Sequence, residues 1–209
     1  MESLKLTVYS DFVCPWCYVG QGAVEKLRQD YRLDVAWRPY YLRPDTPPEG
    51  MELPPNVKAH MAHTVSRLKQ MADATGLPMV FPDHLPNTRL AHEATEYANQ
   101  KGKGLEFHHA VFDRYYGRGE NISLWSVLKA VASEIGLDGA EMQREVESGA
   151  FREVVSAHLE EAHELGIDTV PTYVLNDEYA VVGAQPYEDF VTILEEIERE
   201  TGVQFKRTH

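Results

Sequence analysis

The only two cysteines of the chain, Cys14 and Cys17, sit with two residues between them in Ser10-Asp11-Phe12-Val13-Cys14-Pro15-Trp16-Cys17. An alternating apolar run, Leu4 to Tyr9, precedes them and reads as a strand; Trp16 to Gln29 follows and reads as a helix. A Cys-x-x-Cys at a strand-to-helix junction in a βαβ setting points to a thioredoxin-like redox centre. The spacing has a geometric reason. With Cys14 at the helix N-cap, Pro15 takes the first helical position, where its missing N–H costs nothing. The Cys14 sulfur then meets unpaired N–H groups and the positive end of the helix dipole, both of which favour thiolate over thiol. Cys17 lies one turn on along the same face. The two α-carbons should be about 5–6 Å apart, a separation that a disulfide spans. Cys14 is the predicted nucleophile and Cys17 the buried resolving thiol. Between them Trp16 carries no charge, so it cannot pair with a thiolate as a protonated histidine would.

Two plainer readings compete. Half of a structural zinc site would need further ligands, normally four Cys or His in all, and no second Cys-x-x-Cys exists. A pair of inert buried thiols would not require the strand, the proline and the helix around it. The nine histidines show no metal spacing. His60/His63 and His158/His163 fall in helical stretches and are expected to face solvent. His108 and His109 are adjacent and cannot share a helix face. His84 and His92 flank a loop and read as structural.

The charge balance narrows the partners. With 20 basic and 33 acidic residues the net charge is −13, which argues against nucleic acid or an anionic membrane. At 209 residues, 43% hydrophobic and 25% charged, the chain fits a globular protein of one domain with a sizeable insert, or two small domains. No apolar run approaches the length of a membrane span. Met1-Glu2-Ser3-Leu4 enters the first strand without the basic start and apolar core of a signal peptide. The expected location is therefore the cytoplasm, where a cysteine pair is more often catalytic than structural. There is no Gly-x-Gly-x-x-Gly after a strand and no phosphate loop, so no cofactor beyond the cysteine pair itself is predicted. The oligomeric state is open between monomer and homodimer.

Along the chain, Leu33 to Arg38 reads as a second strand, completing a βαβ unit with a parallel pair. Residues 39–55 hold six prolines and read as an extended linker; a cleft wall carrying Tyr40, Tyr41 and Arg43 is the alternative. From Asn56 to Leu165 the pattern is helical. One stripe runs Val57, Met61, Val65, Leu68, Ala72 and closes at Gly76. Asn87 or Thr88 caps the next helix; Leu105–Tyr116 forms another; Ser123 caps a fourth; shorter segments follow near 140–147 and 151–165. A β-hairpin then follows, its first strand started by Pro171 and running to Leu175, its turn at Asn176-Asp177-Glu178 and its return over Tyr179 to Gly183, and Pro186 opens a last helix over 187–200. The predicted fold is α/β: a thioredoxin fold made of residues 1–45 and 166–209, interrupted by a helical subdomain over 46–165.

Two further residues bear on the site. Pro171 starts the hairpin, where a proline is tolerated. The Val170–Pro171 bond is predicted to be cis and packed against the cysteines, leaving the Val170 backbone to pair with an extended thiol substrate by strand addition. The plain alternative is a trans strand-start proline. Asp11, three residues before Cys14, either relays protons during exchange or organises the turn.

The stretches Asp11-Phe12-Val13-Cys14-Pro15-Trp16-Cys17, Asn87-Thr88-Arg89-Leu90-Ala91-His92, Val170-Pro171-Thr172-Tyr173 and Gly183-Ala184-Gln185-Pro186 together resemble the DsbA-like thioredoxin superfamily. The likeness is to its FrnE-like branch, which adjoins the 2-hydroxychromene-2-carboxylate isomerases and kappa-class glutathione transferases. It spans nearly the whole chain. It implies thiol–disulfide exchange at Cys14 with protein or small-molecule thiols as partners, and it places Asn87 and Gln185 near the cleft. Pro15, Trp16 and Val170 complete the expected substrate contacts. The isomerase and transferase relatives usually carry serine at the position of Cys14, so two retained cysteines favour redox chemistry. A glutathione-dependent transferase or isomerase, with glutathione as co-substrate, and a non-enzymatic redox sensor are the alternatives.

Overall fold

A computed structural model describes residues 3–208; Met1, Glu2 and His209, which the expected domain bounds and the N-terminal reading include, lie outside the described residues. The strand β1 (Leu4–Ser10) leads through the cysteine turn into α1 (Pro15–Asp30) and returns as β2 (Leu33–Pro39). β1 and β2 pair in parallel, Leu4 opposite Leu33 through Ser10 opposite Pro39. A long excursion follows: β3 (Met51–Glu52), α2 (Pro55–Thr75), β4 (His84–Leu85), α3 (Arg89–Gln100), α4 (Gly104–Phe112), α5 (Trp125–Glu134), α6 (Gly139–Glu147) and α7 (Arg152–Glu164). The chain then completes the sheet with β5 (Thr172–Leu175) and β6 (Tyr179–Val182) and ends on α8 (Tyr187–Thr201). The strand order is β2-β1-β5-β6, with β5 and β6 antiparallel to their neighbours. Asn176 and Asp177 turn the hairpin in left-handed conformation, which these two residue types tolerate better than most.

Strand alternation divides the interior. Leu4, Leu6 and Val8 face one side, where they meet Val24 and Leu27 of α1 and Phe190 and Leu194 of α8. Tyr9 faces the other side and joins the core that the helical excursion builds. β1 is buried on both faces as a central strand must be. The second core runs without interruption from Phe12, Cys14, Cys17 and Tyr18 into Ala94, Phe107, Phe112 and Tyr116, so the helical excursion also roofs the cysteine turn. Gly20 and Gly22 serve close packing. A Cβ at Gly20 would land on the Tyr173 hydroxyl, and one at Gly22 on the Thr75 side chain.

Several local expectations are corrected. Residues 39–55 are not a free linker. Tyr40 N–H donates to Ser10 O at 2.9 Å, Thr46 is buried, and β3 pairs with β4 as a two-residue ladder. Prolines stop the segment from forming longer structure but do not stop it being tied down at the residues between them. Ser123 does not cap α5, whose N-cap is Leu124; its hydroxyl accepts Asn87 N–H at 2.8 Å instead. The helix expected over Leu105–Tyr116 is α-helical only to Phe112 and continues as a π turn, Asp113–Gly117. The wider turn lets the adjacent Tyr115 and Tyr116 both face inward. His60, His63 and His163 are exposed. His158 is not: its Nδ1 lies 3.4 Å from Glu96 Oε1 on a largely covered helix face. Burial alone would raise the Glu96 pKa, but hydrogen bonding to His158 and Asn99 holds it below the ordinary carboxylate value.

Candidate active site

Cys14 is the N-cap of α1, in extended conformation, with Pro15 at the first helical position. Cys14 N–H donates to Asp11 O at 2.9 Å, and Cys17 N–H approaches both Cys14 O (3.1 Å) and Cys14 Sγ (3.4 Å). The sulfur of Cys14 therefore receives a backbone donor at a helix N-terminus, where charge gathering on it during exchange is stabilised. Both cysteines are free thiols and buried, Cys14 at 3% exposure and Cys17 at 0%. Burial pushes the Cys17 pKa well above its ordinary value and the Cys14 thiol beside it adds to the rise, while the Asp11 backbone and Ser10 hydroxyl pull the other way. Of the pair, Cys14 is the one nearer the surface and Cys17 the one fully enclosed.

The Val170–Pro171 peptide bond is cis, and Cys14 Sγ donates to Val170 O at 3.4 Å across 156 residues of sequence. Pro171 O in turn accepts Gly183 N–H at 2.8 Å, which brings the Gly183–Pro186 stretch to the same end of the sheet. Gln185 Nε2 donates back to Val182 O at 3.2 Å, and the residue lines a groove between α1, α2 and α8. Trp16 is half-buried, with the Arg67 guanidinium carbon 5.7 Å from its ring centroid.

Asp11 is almost wholly buried. Its Oδ2 accepts Leu42 N–H at 2.7 Å, and its Oδ1 lies 3.2 Å from His92 Nε2. The turn is thus held by the Asp11 backbone carbonyl, while its carboxylate fastens the proline-rich crossing on one side and α3 on the other. The crossing accordingly walls the site, with Tyr41 5.5 Å from the His92 ring. His92, read from sequence as structural, is Asp11's hydrogen-bond partner. No spacing signal connects residues 81 positions apart. Asn87 makes no hydrogen bond to the cysteine turn or to residue 170. Its side chain donates to Thr46 O at 2.6 Å and accepts Arg89 N–H at 3.0 Å, tying the crossing to the start of α3. Tyr116, whose aromatic run over 112–116 reads from sequence as core, donates its hydroxyl to Val13 O at 2.7 Å and stacks on Tyr18. Among the described residues no group of three His, Cys, Asp or Glu side chains is placed to hold a metal ion, and no helix is long and apolar enough to cross a membrane.

The arrangement is that of a dithiol whose outer sulfur sits at a helix start opposite a cis proline. Solved structures share the fold. A probable DsbA oxidoreductase of Streptomyces coelicolor superposes with a TM-score of 0.84 at 24% identity, over 96% of this chain and 91% of that one. The cytosolic disulfide reductase DsbM of Pseudomonas aeruginosa, solved with GSH, gives 0.66 at 20% identity over 93% and 99%. In sequence the chain is 33% identical to the protein YwbO of Bacillus subtilis over 178 residues, 84% of this chain and 88% of that protein. It is 27% identical to a 2-hydroxychromene-2-carboxylate isomerase of Pseudomonas putida over 172 residues, 81% and 84%. The family model of the DSBA-like thioredoxin domain matches residues 5–195, and the chain belongs to that family.

Proposed function

We propose that the chain is a thiol–disulfide oxidoreductase of the FrnE-like kind, acting through Cys14 and Cys17 on protein or small-molecule thiols and disulfides. The observation that carries this reading is Cys14 Sγ at the helix N-cap, 3.4 Å from the Val170 carbonyl beside the cis proline. In the oxidising direction a substrate thiolate attacks Cys14 Sγ. The Cys14–Cys17 bond breaks, and Cys17 leaves as a thiolate and takes up a proton. The substrate's second thiolate then attacks its own sulfur in the mixed disulfide and releases Cys14. The substrate loses two electrons and the pair gains them. In the reducing direction Cys14 attacks a disulfide and Cys17, once deprotonated, resolves it.

The raised pKa of Cys17 fits a thiol that must be relieved of its proton at the resolving step. Asp11, hydrogen-bonded to His92, is the proposed relay. Pro171 keeps the Val170 backbone turned to the sulfur. Val170 N–H has no partner among the described residues, which suits pairing with an extended substrate. Pro15, Trp16 and Gln185 border the route in; Asn87 acts through the crossing it fastens. Direction depends on small terms, since about 30 mV in potential is only about 1.4 kcal/mol. A cytoplasmic setting, in keeping with the cytosolic reductase of the same fold, favours reductase or isomerase action. Residues 1–45 with 166–209 would form the redox unit, and 46–165 its helical cover.

A second reading, a glutathione-dependent isomerase or transferase, is favoured by the isomerase relative. Turnover of wild type, Cys14→Ser and Cys17→Ser in insulin reduction separates the two. Exchange predicts loss in Cys14→Ser and trapped mixed disulfides in Cys17→Ser. Glutathione-dependent activity undiminished in Cys17→Ser would point to the isomerase reading, and negligible wild-type turnover to a sensor.

A further inference from the structure

The groove that leaves the cysteine pair along α1 carries two cations without an ionic partner. It is enclosed by α1, α2 and the start of α8, has a volume of about 290 Å³, and has an apolar floor of Val19, Ala23 and Met71. Its near end is tied to the Cys-Pro-Trp-Cys turn through Arg67, which lines the groove and reaches the Trp16 ring. Val19 packs in the same core as Cys14 and Cys17, and Gln185 stands two residues beyond Gly183, whose N–H holds Pro171 O. Arg67 stands at this end, over the Trp16 ring. Lys26 stands further out, with its Nζ 6.0 Å from the Tyr187 ring centroid. From Trp16 to Lys26 is ten residues of helix, about 15 Å.

The charge pattern is opposite to that of the molecule. The chain carries a net −13, whereas the side chains lining the groove include two cations, Lys26 and Arg67, against a single acid. Among the described residues neither Arg67 nor Lys26 forms an ion pair, and Glu188 is the one acid lining the groove. Two uncompensated positive side chains beside an apolar floor, leading to a nucleophilic sulfur, form a complementary surface for carboxylates near a substrate's cysteine.

We propose that this groove is a subsite for an acidic peptide segment, whose carboxylates engage Arg67 and then Lys26 while its cysteine meets Cys14. The inference rests on the redox reading of Cys14 and specifies its substrate class: disulfides in acidic sequence. An extended chain advances about 3.3 Å per residue. A carboxylate about two residues from the cysteine reaches Arg67, and one about five residues away reaches Lys26, twelve helical residues from Cys14 at about 1.5 Å each. Exposed ion pairs are individually weak, so the discrimination is modest, about three- to ten-fold in Kd for the two together, and salt-sensitive.

The test uses S-methylcysteine peptides, which cannot exchange. Three peptides differ only in carrying Glu, Gln or Lys at the second and fifth positions on both sides of the S-methylcysteine. Their Kd values are measured by calorimetry against the full chain, wild type, R67Q, K26Q, the double variant R67Q/K26Q and the charge-reversed R67E/K26E, at low and high salt. The Glu peptide should bind wild type three- to ten-fold more tightly than the Gln peptide, with the Lys peptide weakest. The advantage should shrink in each single variant, vanish in the double variant and at high salt, and invert in R67E/K26E. Equal affinity for the Glu and Gln peptides, no detectable binding of the Glu peptide, or an advantage that persists in the double variant overturns the proposal. Because no sulfur exchange enters this measurement, a charge preference in a chain that turns over no disulfide would refute the redox reading and leave the subsite standing.

Discussion

Acid should destabilise this protein through His108. Its imidazole stacks on Trp37 at a ring-centroid separation of 4.1 Å and lies 5.1 Å from Phe12 and 5.0 Å from Phe112. It is 3% exposed, and its Nδ1 has no hydrogen-bond partner. Burial, and then the neighbouring His109 and His92, hold its pKa well below the ordinary 6.5. In the unfolded chain the same side chain titrates near 6.5. Below that pH the unfolded state binds a proton that the folded state refuses, so stability is full above about pH 7.5 and falls as pH drops through 6.5 toward the folded-state value. At about 1.4 kcal/mol per pH unit, this one group costs about 2 kcal/mol between pH 7.5 and pH 5.0. His108→Phe keeps an aromatic ring among Trp37, Phe12 and Phe112 and removes the proton site. Urea unfolding of both proteins at the two pH values gives the comparison. The variant should lose about 2 kcal/mol less than wild type over that interval, whatever its stability at pH 7.5. Equal losses would show that His108 accepts its proton in the folded state, and the account of this core would be wrong.

Other perturbations test the packing around the cysteine turn. Tyr116→Phe removes the donor to Val13 O and strands a buried carbonyl, so it should cost about 1–3 kcal/mol in denaturant unfolding; an unchanged midpoint would mean the bond contributes nothing net. Gly20→Ala pushes a methyl group into the Tyr173 hydroxyl and should destabilise by about 1–3 kcal/mol. Tyr173→Phe removes that oxygen, which has no partner in the structure, so the double variant should recover most of the loss; additive losses would place the clash elsewhere.

The legible part of the fold was the part written in short-range pattern. Alternation from Leu4 to Tyr9 and from Leu33 to Arg38 marks β1 and β2, and the turn residues Asn176 and Asp177 mark the hairpin. Helical periodicity located the helices of the excursion but misjudged details that packing decides. The π turn at Asp113–Gly117 follows from the need to bury two adjacent tyrosines. Ser123 could have capped its own helix, yet its hydroxyl serves Asn87, 36 residues away. Nothing in the local pattern of His158 reveals that Glu96 covers it.

For the site the division is similar. By itself the sequence determined that Cys14 and Cys17 share one turn of helix behind a strand, with Pro15 admissible between them, because those relations depend only on helical geometry within four residues. Only the tertiary structure decided what surrounds them: Val170 O against the Cys14 sulfur, Asp11 committed to Leu42 and His92, Tyr116 under Val13, and Asn87 spent on the crossing rather than the cleft. These contacts join residues 31 to 156 positions apart. Periodicity states which face of an element is buried, whereas the choice of partner across such distances is made by how the sheet, the helical cover and the crossing close on one another.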